Sequence, residues 1–545
     1  HSDFYNRRNK IRAKQIRRSL RQIFHPQSGF SSSELVYLLN DADDLSTWIS
    51  EILAEAHWHF RNSEQGRPEL LVFPRIIHTL ASALVEIYTP WRGRPGLASR
   101  WHLASGMEQG QDALATTKQL LSPAQRRWLS SLGLDLNPQI SIIRWARRAQ
   151  SVAFESLERA ILDGGVRQDR HPRSVLRSDE IVWARAPARL DVGGGWTDTP
   201  PYSLEHGGCV VNAAVNLNGQ PPIQAYARII DKPVIRISSI DQGERTEITG
   251  FDELLDYRKA TSSFALAKAA LVLSGLSAEN ANKNTSLKKV LEQFGGGIEL
   301  TTLAAVPKGS GLGTSSIMGA VILAAIQRIM GIELSQQQLF YSVLRLEQAL
   351  TTGGGWQDQI GGAIAGVKMI VTEPGFVPDA RIHHVLPDIL DPKANGGRSL
   401  LYYTGITRLA KNILQEVVGG YLNRQRATMA TLKQIRTIAE EVNDALIRKD
   451  IATFGHLVDV AWKLNKQLDP NSSNDEIELL FDRVRPFIYG TKLLGAGGGG
   501  FMLMICKSAR DARCVREMLE AEPPNERARF FDFDISNEGL TVTVC

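Results

Sequence analysis

Pro307-Lys-Gly-Ser-Gly-Leu-Gly-Thr-Ser-Ser316 is the stretch on which the fold turns. It follows a β-branched run, Gly297 to Ala304, that reads as a strand, and it precedes an apolar run, Ser315 to Met330, that reads as a helix. Glycine lets backbone approach a ligand closely and adopt dihedrals that other residues resist, and the first turn of a helix has free N–H groups that attract an anion. Strand, glycine loop and helix start together make a phosphate cradle. The loop is not a Walker A sequence, because no Lys-Ser or Lys-Thr follows its last glycine, and the spacing of Gly309, Gly311 and Gly313 is not that of a dinucleotide fingerprint. The plainer reading of the segment alone is a tight strand-to-helix turn.

Three further segments carry chemistry. Ala186-Pro-Ala-Arg-Leu-Asp-Val-Gly-Gly-Gly-Trp-Thr-Asp198 places a buried strand before three glycines, with Arg189 and Asp198 on either side of the turn. A carboxylate beside close-approaching backbone suits a ligand rich in hydroxyl donors, as sugars are; the alternative is an aspartate satisfying turn amides. Glu347 lies on a predicted helix, Ser335 to Leu350, and Asp358 follows in Gly353-Gly-Gly-Trp-Gln-Asp-Gln-Ile-Gly-Gly362. Paired carboxylates beside a phosphate loop can divide into a magnesium ligand and a proton acceptor. Gly495-Ala-Gly-Gly-Gly-Gly-Phe501 precedes another predicted strand and suggests backbone packed against a loop or ligand.

In this order the segments resemble the motifs of the GHMP small-molecule kinases. Ala186 to Asp198 is similar to the family's Pro-x-Arg opening motif, Pro307 to Ser316 to its Pro-x-x-x-Gly-Leu-x-Ser-Ser phosphate loop, and Gly495 to Phe501 to its third glycine motif. Galactokinases carry Glu-His where this chain has Gly195-Trp196. The Gly-Gly-Gly-Trp-Thr-Asp and Gly-Trp-Gln-Asp-Gln forms resemble instead the fucokinase and heptose-kinase branch. The long helical region ahead of the motifs looks like that of the bifunctional L-fucokinase / GDP-fucose pyrophosphorylase enzymes. The resemblance implies an α+β, two-lobed fold with mixed sheets and helices, preceded by a mainly helical N-terminal region. It implies ATP and Mg²⁺, and transfer of phosphate to L-fucose to give β-L-fucose 1-phosphate in GDP-fucose salvage. By the same resemblance Lys308, Gly309, Ser310, Gly311, Leu312, Gly313, Thr314 and Ser315 bind ATP, and Ser315 and Glu347 hold the metal. Asp358 and Arg189 are the catalytic pair, and Gly195, Trp196, Asp198, Glu205, His206, Asp358 and Gly497 contact the sugar. Two other readings stand beside it: another GHMP sugar kinase of the heptose-phosphate, arabinose or galactose type, or a catalytically silent sugar sensor on the same fold.

The rest of the chain bounds these readings. Its 545 residues leave room for three or four domains, and 43% hydrophobic and 22% charged residues exclude disordered, collagenous and low-complexity classes. A net charge of +5 over this length does not argue for nucleic acid, and no apolar run is long enough to span a bilayer. Four cysteines without Cys-x-x-Cys spacing point to a reducing, cytoplasmic setting and away from a zinc site. The basic run from Arg7 to Arg21 reads as a solvated helix face, because Ile11, Ile16, Leu20 and Ile23 give it an apolar side. Leu45, Trp48, Ile49, Ile52 and Leu53 form a buried helical stripe after a cap at Ser32 or Ser33. The expected organisation is a helical interaction region over 1–164, a linker over 165–180, an N-terminal kinase lobe over 181–390 and a C-terminal lobe over 391–545. The helical region would join an upstream GDP-fucose pyrophosphorylase domain or form a homo-oligomer. No glycine-rich nucleotidyltransferase opening or hexapeptide repeat precedes Gly164, and the start at His1 reads as a fragment boundary, with no signal peptide.

Overall fold

A computed structural model describes residues 15–40, 44–62, 68–89, 106–137, 139–163, 173–259, 261–276, 285–333, 335–350, 353–406 and 411–545. The chain divides into two compact units, His1–Gly165 with Val417–Met429, and Val166–Glu416 with Ala430–Cys545.

The first unit is helical. Its main elements are Ser32–Asn40, Leu45–Asn62, Val72–Tyr88, Pro123–Ser131 and Ile142–Asp163. The expected stripe is its core: Ile49, Ile52 and Leu53 are fully buried against Ile76, Leu80 and Ala146, while Leu45 and Trp48 flank them. The helix Ser32–Asn40 is capped one residue earlier than expected, at Ser31. Its hydroxyl accepts from the Glu34 amide at 3.3 Å and the Glu34 carboxylate accepts from the Ser31 amide at 2.7 Å, a reciprocal pair that the three-residue spacing of serine and glutamate allows. Ile16 and Leu20 of the basic run are buried in this core, and Arg17 reaches outward to Glu51. Residues 1–14 of that run lie outside the described residues.

The second unit is α+β. Its six-stranded sheet has the order Thr541–Val544, Ile181–Ala186, Ile223–Ile230, Gly297–Ala304, Ile235–Ser239, Glu244–Ile248. The helices Ala265–Leu273, Thr314–Ile329 and Gln336–Ala349 bury their apolar faces with this sheet. A second sheet joins Ile488–Leu493, Phe501–Cys506, Ser399–Tyr403 and Arg529–Phe531; a third centres on Cys209–Leu217, which pairs with Ala188–Gly193, Val367–Thr372 and Phe533–Ile535. One core holds residues of both of these sheets, among them Leu190, Val211, Leu401 and Leu503, all fully buried.

Phe530 to Ile535, which the pattern gives as one strand, is divided between two sheets at the exposed Asp532, whose carbonyl accepts from the Asn218 amide at 2.8 Å. Thr261 to Leu273 turns helical only at Ala265, because Phe264 takes a left-handed φ of 58°. Residues 164–172 of the expected linker lie outside the described residues. The following stretch hydrogen-bonds within the second unit, from the Ser174 amide to Phe294 O at 2.7 Å and from the Val175 amide to Ile329 O at 2.8 Å. Among the described residues no helix is long and apolar enough to cross a membrane.

Candidate functional site

The loop from Pro307 to Gly313 leaves the strand Gly297–Ala304 and ends as the N-cap of the helix Thr314–Ile329. Gly309, Gly311 and Gly313 all have φ near 70°, and no side chain caps the helix, so its first amides are kept for another acceptor. The loop is braced from the second glycine segment. A Cβ on Gly311 would fall 2.2 Å from Leu494 O, one on Gly500 would fall 2.6 Å from Ser310 O, and the Phe501 amide donates to Ser310 O at 2.9 Å. Gly497 faces the other way, against Ser472. Lys308 is directed away from the loop amides: its Nζ donates to Gln242 at 3.0 Å, and it lines an open cleft of about 450 Å³ with Tyr403, Arg527 and Arg529.

Two side chains that lie 169 residues apart meet at the helix end of this loop. Arg189, on the strand Ala188–Gly193, donates from Nε to Asp358 Oδ1 at 2.7 Å and from Nη1 to Gly311 O at 3.0 Å. Asp358 lies in the first turn of the short helix Gln357–Ala363 and keeps 25% of its side-chain surface exposed, whereas Arg189 keeps 3%. A Cβ on Gly313 would come within 3.0 Å of Asp358 and 3.2 Å of Arg189, so loop, carboxylate and guanidinium are in mutual contact. Burial opposes the charge on Arg189, but Asp358, Asp191 and Asp198 outweigh it and hold the guanidinium above its ordinary value.

The short helix is fixed from several sides. Its first amide, on Gln357, donates to Asp198 Oδ2 at 3.2 Å, and the Gln357 Nε2 donates to Asp198 Oδ1 at 3.1 Å. Near its other end the fully buried Lys368 donates to Gly361 O at 2.9 Å and Gly366 O at 3.2 Å, and burial pushes that ammonium down to about 7. A Cβ on Gly361 would come within 3.0 Å of Arg189 and one on Gly362 within 2.7 Å of Ile317, so these glycines let the helix lie on its neighbours.

Asp198 is almost fully buried. Burial first, then the charges of Asp358 and Asp191, push its carboxyl up to about 7, against the Gln357 amide and Arg189. Trp196 holds a left-handed φ of 85° and donates its amide to Asp198 Oδ1 at 3.1 Å, which closes the glycine turn on the acid. Glu205 and His206 follow in the helix Tyr202–His206, where Arg436 donates to His206 O at 3.3 Å and the His206 ring lies against Tyr202.

Glu347 is buried beneath the start of the loop helix. Its Oε1 accepts from Ser316 Oγ at 2.9 Å and from Ser315 Oγ at 3.3 Å, and its Oε2 lies 3.2 Å from where a Cβ on Gly354 would stand. A buried carboxylate with a serine hydroxyl at a phosphate loop is a hard-oxygen set that suits a small dication which completes its shell with water and phosphate.

Sequence reasoning missed Gln357, Lys368 and a second buried pair, Asp191 with Lys492, joined at 2.8 Å with each side chain 2% exposed. That pair ties the Arg189 strand to the strand that feeds the Leu494 brace. A lysine and an aspartate inside apolar strands are visible in sequence, but 301 residues separate them and nothing local pairs them. Replacing Gly311 with alanine sets a Cβ against Leu494 O at a φ of 75°; we expect ATP affinity by calorimetry to fall more than tenfold while circular dichroism stays unchanged, and unaltered affinity would contradict the bracing described.

Comparison with known proteins bears on this geometry. Residues 281–366 match the GHMP kinases N terminal domain and residues 442–525 the GHMP kinases C terminal domain. The chain is 42% identical over 398 residues to an L-fucokinase/L-fucose-1-P guanylyltransferase of Bacteroides fragilis, which covers 73% of this chain and 42% of that protein. It is 36% identical over 374 residues to a bifunctional fucokinase/GDP-fucose pyrophosphorylase of Arabidopsis thaliana, covering 68% of this chain and 34% of that one. The chain thus spans less than half the length of either relative. Its fold is shared with the Lin0012 protein of Listeria innocua at a TM-score of 0.51 and 13% identity, over 67% of this chain and 99% of that one. Stretches that match both GHMP kinase domains thus follow one another along the chain, and the first of them spans the phosphate loop, Glu347 and Asp358.

Proposed function

We propose that the chain is an ATP-dependent sugar 1-kinase that converts L-fucose to β-L-fucose 1-phosphate, in GDP-fucose salvage in the cytosol. The observation that carries this reading is the Arg189–Asp358 pair lying against Gly311 and Gly313. The two relatives named for fucokinase activity support the choice of sugar.

Phosphoryl transfer asks the protein mainly to position the reactants and to offset charge. In this reading the loop amides from Gly309 to Ser315 hold the β- and γ-phosphates. Asp358 has Oδ1 fixed by Arg189, and its Oδ2, bonded to no described residue, takes the proton of the anomeric hydroxyl. Arg189 offsets the charge that develops on the transferred group. Asp198 orients sugar hydroxyls from behind the glycine turn, with Gly195 and Trp196 as backbone wall, and Glu205 and His206 complete the sugar contacts, whereas Gly497, expected among them, packs against Ser472. Lys308 meets ATP from the rim of the loop. Ser315 and Glu347 would hold Mg²⁺, which, when bound, screens phosphate charge. The sequence divisions at 164, 180 and 390 are proposed as the ends of the helical region, the linker and the first kinase lobe. The helical region would connect to an upstream pyrophosphorylase domain of the kind named in the relatives, or mediate self-association.

ADP release with Mg-ATP against L-fucose, D-arabinose, D-galactose and a heptose 7-phosphate, with phosphorus NMR of the product, tests the reading. A 1-phosphate formed from L-fucose is expected; turnover only on another sugar would reject the fucose assignment, and none on any sugar would reject the activity.

The raised carboxyl of Asp198 adds a pH signature. Its ordinary value is 3.8 and its folded value about 7, so between the two the unfolded chain is ionised while the folded chain keeps the proton. The stability contributed by this group is therefore full below 3.8 and lost as pH rises through about 7. Its acceptor role requires the opposite state, the carboxylate. We expect kcat/KM for the sugar to rise with pH up to about 7 and the limb to vanish in Asp198→Asn at lower overall activity; the same limb in that variant would assign it to another group.

A further inference from the structure

Asp191 and Asn212 stand directly opposite each other in the antiparallel pair of Ala188–Gly193 with Cys209–Leu217, so their side chains share one face. Asn212 Nδ2 donates to the backbone carbonyl of Gln357 at 3.4 Å, and the Gln357 amide nitrogen is committed to Asp198. Gly195 lies between the two polar groups: a Cβ there would fall 2.7 Å from Asp191 Oδ2 and 3.2 Å from Gln357 Nε2. Gly194 needs glycine for its φ of 89°, but Gly195 is not among the residues with positive φ. Only this crowding requires glycine at 195.

Three acceptors in this cluster, Asp191 Oδ1, Asn212 Oδ1 and Gln357 Oε1, are buried and have no hydrogen-bond partner among the described residues. Buried acceptors without donors are rare, and acceptors cannot satisfy one another. The two cations at hand are already engaged, Lys492 with Asp191 and Arg189 with Asp358. A ligand portion that complements this surface brings hydroxyl donors and no negative charge.

We propose that Gln357, with Asp191 and Asn212, reads hydroxyl groups of an unphosphorylated sugar, Gln357 Oε1 accepting from one of them, and that Gly195 is glycine so that this surface can form. The inference rests on the sugar-kinase reading and deepens it, since a sugar bearing a phosphate at this end would meet only acceptors. It makes Gln357 a specificity determinant that touches substrate.

The test is kcat/KM of the full chain with L-fucose and its 2-, 3- and 4-deoxy analogues, for the unaltered protein and for Gln357→Met. The unaltered protein should lose about tenfold or more on one analogue, and Gln357→Met should lose a similar factor on L-fucose but nothing further on that analogue, with KM for ATP unchanged. Equal losses by Gln357→Met on every sugar would overturn the inference and leave the kinase reading intact. Absence of turnover by the unaltered protein on all sugars would reject both. Should Gln357→Met fail to fold, Gly195→Ala decides: it should flatten the discrimination among the analogues, and retained discrimination would overturn the inference.

Discussion

The ion pair between Arg189 and Asp358 is the contact on which the rest of the second unit converges. A guanidinium this deeply buried is tolerable only beside carboxylates, and an acid in this position is held in one orientation only because the guanidinium fixes one of its oxygens. The packing around the pair follows from that need. Gly311 offers its carbonyl to Arg189, Gly313 and Gly361 lie against the pair without side chains, and Asp198 and Lys368 fix the two ends of the helix that carries the acid. Sheets, glycine loops and short helix serve to bring three distant pieces of chain to one point.

The electrostatics of the region are those of a surplus of carboxylates gathered around few cations. Asp191, Asp198 and Asp358 share Arg189 and Lys492, and the raised carboxyl of Asp198 is the visible consequence. Three N–H donors aimed at Asp198 favour its ionised form while burial and neighbouring charge oppose it, so small changes in occupancy of the site can tip its protonation. Protonation takes away an acceptor from Gln357, and with it part of the anchorage of the Asp358 helix.

Local signals made much of this legible in the sequence. The glycine loop between strand and helix, the helical stripe at Leu45 to Leu53 and the order of the three glycine motifs depend on neighbours in the chain, and the structure places them as read. The meeting of Arg189 with Asp358 was suggested by resemblance to a family, not by spacing. What stayed hidden was set by contacts across long separations: the Asp191–Lys492 pair, the Lys368 tie to a helix end, and the change of sheet at Asp532. Gln357 was hidden for another reason, since a glutamine beside an aspartate looks unremarkable until its amide is seen bonded to Asp198 and its oxygen left without a donor among the described residues.

The account stands on Asp358 acting as proton acceptor within a site whose nucleotide cradle is built by other residues. Rapid-quench measurement of single-turnover phosphoryl transfer to L-fucose in Asp358→Ala, with ATP affinity determined in parallel by calorimetry, addresses that claim most directly. Transfer should fall by about a hundredfold or more while ATP affinity holds. Undiminished transfer, or loss of ATP binding together with the fold, would contradict it.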